Sequence, residues 1–257
     1  MRAIWMLVLL LLTGNVLAAD YAREKKWADE VIPGVVVGDL VYLEQASGHK
    51  FLTLYTTAKD PKAALIIVHG LGIHPDWGLI GVLRSQLVDR GYTTLSVQMP
   101  VLDSAAKVSA YPATFPEASQ RLHLAVDFLK AKGYSKIAIV SHSMGSRMSD
   151  AYLAAKPDAA VKAWVAIGMP IAADYRKINV PVLDLYGQND LPEVIKGAAA
   201  RKASLQGKPG SEQIQATRAD HFFTDQDQQL VDAVAHYLNQ QFKWSAAPPL
   251  HGIFRRF

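Results

Sequence analysis

Four short stretches of the chain hold residue types that can act together on an acyl group. They are His69-Gly70-Leu71-Gly72, Ser141-His142-Ser143-Met144-Gly145, Gly187-Gln188-Asn189-Asp190 and Asp220-His221. A serine hydroxyl is a weak nucleophile and needs a neighbouring base to take its proton during attack. An imidazole suits that task, because it accepts a proton near neutral pH and returns it to a leaving group. A carboxylate on the far side of the ring fixes the tautomer and stabilises the imidazolium. Ser143, His221 and Asp190 are the candidates for nucleophile, base and acid. The backbone N–H of Met144, directly after the serine, and that of Leu71, after His69-Gly70, are the candidate donors to a developing oxyanion.

Each assignment has a plainer rival. Ser143 also suits a tight structural turn, and Asp190 also suits a helix cap ahead of Leu191-Pro192. Asp184 is an alternative acid, but it falls inside an apolar run rather than at its end. His221 has the rival role of a polar loop residue. His74, Trp77, Tyr111, His142 and Phe222 are candidate substrate-binding residues, with ordinary packing as the alternative for each. His69 reads as a structural histidine that hydrogen-bonds its own loop. No metal or cofactor is expected: there is no H-E-x-x-H, no cysteine, no P-loop and no G-x-G-x-x-G after a strand.

The elements that must position these groups follow from periodicity. Val35–Leu43 and Lys50–Thr57 read as an antiparallel hairpin. Ala63–His69, Thr93–Val97, the run ending at Ser141, Val161–Ile167 and Val180–Tyr186 are short, mostly apolar runs suited to strands of a largely parallel sheet, and Gln213–Thr217 reads as the last strand. Helical stripes lie between them. Asp76 is expected to cap the first, Thr114-Phe115-Pro116-Glu117 has capping-box spacing, Leu191–Leu205 forms another, and Thr224 is expected to start the last. Strands alternating with helices predict βαβ units in an α/β fold, with reactive groups at the carboxyl ends of the strands. The polar stretch Asp20–Glu30 reads as an exposed lead-in.

Strand, sharp turn and helix around Ser143 are the context of a nucleophile elbow, and the order Ser, Asp, His is that of the α/β-hydrolases. On these four stretches the chain resembles that superfamily over roughly residues 35–242, with Ser141 in place of the first glycine of G-x-S-x-G. Ile73-His74-Pro75-Asp76-Trp77 is also similar to a small family of bacterial envelope α/β-hydrolases. The resemblance implies an α/β-hydrolase fold with a mostly parallel central sheet flanked by helices. It implies a serine hydrolase of carboxylic esters or thioesters working through an acyl-enzyme. Gly168–Asn179, where such folds often insert a lid, is too short for a substantial one. A noncatalytic envelope binding or scaffold protein, and a peptidase using the same triad, are the competing functions.

The chain has 257 residues, 50% of them hydrophobic, with a net charge of +4 and no long basic block. That composition is globular and gives no signal for nucleic acid. Arg2, the apolar run Ala3–Leu12 and Val16-Leu17-Ala18 read as a cleavable signal peptide over residues 1–19, leaving residues 20–257 as one domain with a basic-aromatic tail at 243–257. The expected location is periplasmic or secreted, with no stable membrane insertion after cleavage. The expected partner is a small-molecule or polymeric ester substrate.

Overall fold

The computed structural model describes residues 19–61, 63–155, 158–243 and 254–256, with backbone only for the last three. The expected signal segment therefore lies outside the described residues except at Ala19. Among the described residues nine strands form one sheet in the order β1-β2-β4-β3-β5-β6-β7-β8-β9. β3 (Ala63–Val68), β4 (Tyr92–Val97), β5 (Ile137–His142), β6 (Val161–Ile167), β7 (Val182–Asn189) and β8 (Glu212–Asp220) run parallel. β1 (Asp39–Glu44) and β2 (Lys50–Thr56) form the antiparallel hairpin at one edge.

β3, β4 and β5 are buried on both faces, as are most of β6 and β7, which is why they read as largely apolar runs rather than alternating ones, whereas β8 is only partly buried. On β3, Ala64, Ile66 and Val68 join one core with Leu122 and Val126 of α3 (Phe115–Ala131) and Met148 of α4 (Met144–Ala154). Ala63, Leu65 and Ile67 face the other core, with Leu83 of α2 (Leu79–Asp89) and Val234 of α6 (Asp227–Gln241). α5 (Pro192–Leu205) packs beside β7 and β8. Between β6 and β7 the chain makes only a short 3-10 turn at Tyr175–Lys177. The architecture is that of an α/β-hydrolase without a substantial lid.

Several local expectations change. Residues 21–31 form a helix, α1 (Tyr21–Val31), not an exposed lead-in. Asp20 caps it, accepting from Arg23 N–H at 2.9 Å, while Glu24 and Ala28 are buried. β1 starts at Asp39 because Ile32–Gly34 form a 3-10 turn first. Gly78, at φ 46°, and not Asp76, precedes α2, since the Asp76 carboxylate is taken by Arg84 Nε. No capping box forms at α3: Thr114 Oγ1 donates to Tyr111 O and Glu117 is drawn to Arg121. The last helix begins at Asp227, three residues later than expected. Residues 254–256 of the tail form β9 (Phe254–Arg256), antiparallel to β8. Among the described residues no helix is long and apolar enough to cross a membrane.

Candidate active site

Ser143 sits between β5 and α4 at φ 56°, ψ −120°, a conformation that side chains rarely adopt. Two contacts hold it there. Its N–H donates to Ile167 O at 2.9 Å, and its C=O accepts from Ser146 N–H at 2.9 Å. The following glycine makes the turn possible: a Cβ on Gly145 would lie 2.3 Å from His69 O. Ser141, in the first small position, is buried and spends its hydroxyl on Trp164 Nε1, which donates to it at 2.8 Å, and on Ser146.

His221 follows β8, and its Nε2 lies 2.9 Å from Ser143 Oγ. Its Nδ1 lies 2.6 Å from Asp190 Oδ1. Both distances suit one tautomer, with Nδ1–H donating to the carboxylate and Nε2 accepting from the hydroxyl. Asp190 is positioned by β7. Gly187 N–H donates to Oδ2 at 3.0 Å and Leu191 N–H to Oδ1 at 2.8 Å. Of the two roles that the sequence set in competition, Asp190 takes the one that faces the histidine: the N-cap of α5 is Leu191, with no side-chain cap bond. The β7–β8 ladder shifts register between Gly187 and Asn189. Gly187 allows it, since a Cβ there would lie 2.3 Å from Ala219 O. Gly168, which sequence reasoning did not single out, backs the imidazole from the end of β6. At φ 57°, a Cβ on it would lie 2.9 Å from His221 Cε1. Asp184 lies deeper in β7, fully buried against Arg201 Nε at 2.9 Å, and is a structural ion.

Leu71 follows β3 with Gly70 closely apposed to the nucleophile: a Cβ on Gly70 would be 3.2 Å from Ser143 Cβ. Met144 is the first residue of α4, so its N–H has no acceptor within the helix. Both N–H groups therefore belong to backbone that borders Ser143. His69 is fully buried. Its Nε2 accepts from Met99 N–H at 2.8 Å and its Nδ1 donates to Gly70 O at 2.9 Å. Burial keeps it neutral, with a pKa lowered to about 3.

The candidate substrate-binding residues separate into two groups. Trp77 and the exposed Phe222 meet edge-on at 5.4 Å, and Phe222 in turn meets His221 at 5.1 Å, so this pair borders the His221 imidazole. His74 is half-buried and accepts from Asp76 N–H at 3.3 Å. Tyr111 and His142 turn inward instead. Tyr111 is 3% exposed, and its OH accepts from Leu102 N–H at 3.3 Å. His142 is 1% exposed, and its Nε2 donates to His221 O at 2.9 Å. Burial lowers its pKa to about 3, and its Nδ1 lacks a partner. Both are corrected from substrate-lining to supporting groups, because each is packed behind the loop it holds. Among the described residues no three His, Asp or Glu side chains gather as a metal site.

A family model described as a protein of unknown function, DUF3530, matches residues 39–120. ABHD14B of Rattus norvegicus, whose name proposes it as a protein-lysine deacylase, is 26% identical over 134 residues, which is 49% of this chain and 61% of that protein. The chain thus spans less than two thirds of the length of this curated relative. Among solved structures, XC6422 of Xanthomonas campestris, described as an α/β serine hydrolase without a lid, superposes with a TM-score of 0.64 at 16% identity, over 83% of this chain and 98% of that one. Dienelactone hydrolase of Anabaena variabilis gives 0.62 at 20% identity, over 80% and 97%. Est1E of Butyrivibrio proteoclasticus with ferulic acid bound gives 0.65 at 16% identity, over 79% and 99%. At such identities the likeness speaks for the fold alone, and that fold is the α/β-hydrolase fold.

Proposed function

We propose that the protein is a serine hydrolase that cleaves carboxylic esters or thioesters through an acyl-enzyme. The observation that carries this reading is the line Ser143 Oγ–His221 Nε2 at 2.9 Å and His221 Nδ1–Asp190 Oδ1 at 2.6 Å, with Ser143 raised on a strained turn. In this reading Ser143 Oγ attacks the acyl carbon as its proton passes to His221. Asp190 stabilises the resulting imidazolium without taking the proton itself. The N–H groups of Leu71 and Met144 receive the oxyanion, each worth about 3 kcal/mol of transition-state stabilisation. His221 then protonates the leaving group, and water repeats the sequence to free the acid. The aromatic pair Trp77–Phe222 supports an acyl or alcohol part with an apolar or aromatic face. The short β6–β7 link, a 3-10 turn in place of a lid, supports small or medium acyl groups. The similarity to ABHD14B adds acyl-lysine amides to the compounds worth assaying, since the same triad serves both bonds.

The test is labelling with a fluorophosphonate probe, followed by turnover of p-nitrophenyl esters of rising chain length. Wild type is expected to label on Ser143, and Ser143→Ala to lose the label and about 10⁴-fold or more of kcat. A folded wild-type protein that neither labels nor differs from Ser143→Ala in turnover would leave the fold without this activity.

A further inference from the structure

The amino-terminal helix α1 reaches the loop that carries one of the two candidate oxyanion donors. Arg23 donates from Nη1 to Leu102 O at 2.7 Å and from Nη2 to Gly72 O at 3.2 Å. One guanidinium thereby ties the loop after β3 to the loop after β4. A planar fork suits two carbonyls at a fixed spacing, whereas an ammonium acts as a single point charge. The guanidinium lies over Trp27, 4.5 Å from the ring centroid, and Trp27 meets His74 edge-on at 6.0 Å.

The helix has its own anchors. Asp20 N–H donates to Val101 O at 2.7 Å, so the helix start is pinned to the same loop that Leu102 belongs to. One residue past Arg23, the buried Glu24 accepts from Arg121 Nη1 at 3.0 Å and from Nη2 at 3.1 Å. Arg121, fully buried, also donates to Gln98 O at 3.0 Å, and Gln98 Nε2 lies 3.1 Å from His69 Nε2. His69 in turn holds Gly70 O.

Leu71 therefore stands between two carbonyls that are each held from outside. Its N–H shares a peptide unit with Gly70 C=O, and in a trans peptide the two point in opposite directions. Fixing Gly70 O on one side aims the Leu71 N–H on the other. Beyond Leu71, Gly72 occupies the left-handed region at φ 66°. Two glycines flanking one donor give the loop wide conformational freedom. The direction of the Leu71 N–H is only as definite as the hydrogen bonds at Gly70 O and Gly72 O make it.

We propose that α1 is a brace for the oxyanion loop, with Arg23 as the positioning residue that aims the Leu71 N–H. The proposal rests on the serine-hydrolase reading above. Arg23 acts through backbone and touches no reacting atom, so its loss acts on transition-state stabilisation more than on substrate binding.

The test compares the full-length wild type with Arg23→Ala, Arg23→Lys and Lys25→Ala. Lys25 is exposed on the same helix, where it pairs with Asp29, and serves as the control. The readouts are kcat and KM on p-nitrophenyl acetate, inhibition by a boronic acid that mimics the tetrahedral intermediate, and Tm. In Arg23→Ala, kcat is expected to fall about 10- to 100-fold with KM changed less than about twofold, as for a misaimed catalytic group. Boronate affinity should fall in step, and guanidinium ion added at millimolar concentration should restore part of kcat. Arg23→Lys, able to hold one carbonyl, should fall between, and Lys25→Ala should match wild type. Wild-type kcat in a folded Arg23→Ala would overturn the proposal. So would a loss that follows the unfolded fraction and is not restored by guanidinium. If the wild type neither labels with fluorophosphonate nor differs from Ser143→Ala, the serine-hydrolase reading fails and the brace with it. An active wild type beside an indifferent Arg23→Ala overturns the brace alone.

Discussion

At the scale of single residues, the site depends on positions where a side chain would not fit. Gly168 is the sharpest case, because it lies against the imidazole itself rather than against backbone. A Cβ there would sit 2.9 Å from His221 Cε1 and 3.0 Å from Nδ1, on a residue already at φ 57°. The ring must move off its line between Ser143 and Asp190 to make room. Gly168→Ala is therefore expected to lower kcat about 100-fold, as for a displacement of the order of an ångström. Circular dichroism should remain native, since the sheet around Gly168 is otherwise unaltered. Wild-type turnover in this variant would mean that the imidazole has slack which the hydrogen bonds at 2.6 and 2.9 Å do not suggest. Ser141 makes the converse point. Its hydroxyl occupies the place where the usual motif has glycine, yet it is paired with Trp164 and Ser146, so the departure is satisfied internally.

At the scale of elements, the parallel strands were legible in the sequence because burial on both faces writes a continuous apolar run, as in Ala63–Val68 and Ile137–Val140. The sequential order of Ser143, Asp190 and His221 was legible because each falls just past a strand-like stretch, apolar before Ser143 and Asp190 and alternating over Gln213-Ile214-Gln215-Ala216 before His221. α1 was not legible. Its sequence is rich in charge, and its apolar face is little more than Trp27, Ala28 and Val31. It is held by Ala28 packing with Leu52 and Leu54 and by an ion pair between Glu24 and Arg121, 97 residues apart, which no local pattern records. β9 was hidden for a similar reason, being three residues that pair with the far-off β8. The caps at Asp76 and Thr114 failed because an arginine further along the same helix, Arg84 on α2 and Arg121 on α3, outcompeted the local backbone for Asp76 and Glu117. Buried ions of this kind make elements brittle. Asp184 on β7 holds Arg201 of α5, Tyr175 OH at 3.0 Å and Gln213 Nε2 at 2.7 Å. Removing one partner strands a buried charge, so Asp184→Ala is expected to cost about 3–5 kcal/mol of stability, read from urea unfolding. A cost under about 1 kcal/mol would show that water reaches Arg201 in the variant.

At the scale of the whole molecule, the buried histidines set how stability responds to acid. His69 and His142 are both held neutral by burial, with pKa values lowered to about 3 from 6.5. Between these limits the unfolded chain takes up two protons that the native chain refuses. Stability then rises with pH through this window and falls on acidification, by up to about 1.4 kcal/mol per pH unit for each histidine. Carboxyls act the other way. Burial raises the pKa of Glu24, of Asp184 and of Asp150, the last to about 6, so the native state gains these protons first and part of the fall is offset. The urea midpoint is expected to drop from pH 7 to pH 5, and His69→Gln to flatten that drop. An equally steep fall in His69→Gln would assign the protons to other groups.

On the serine-hydrolase reading proposed above, the short link between β6 and β7 bears on the fate of the acyl group once Ser143 carries it. That serine stays partly exposed, with only a 3-10 turn in the place where a cover would be built. An acyl-enzyme so open to solvent is shared among whatever nucleophiles the solvent contains. Water releases the free acid, while a dissolved alcohol or amine carries the group off as a new ester or amide. Product identity would then follow the composition of the medium, and the protein would be as much an acyl donor to its surroundings as a hydrolase.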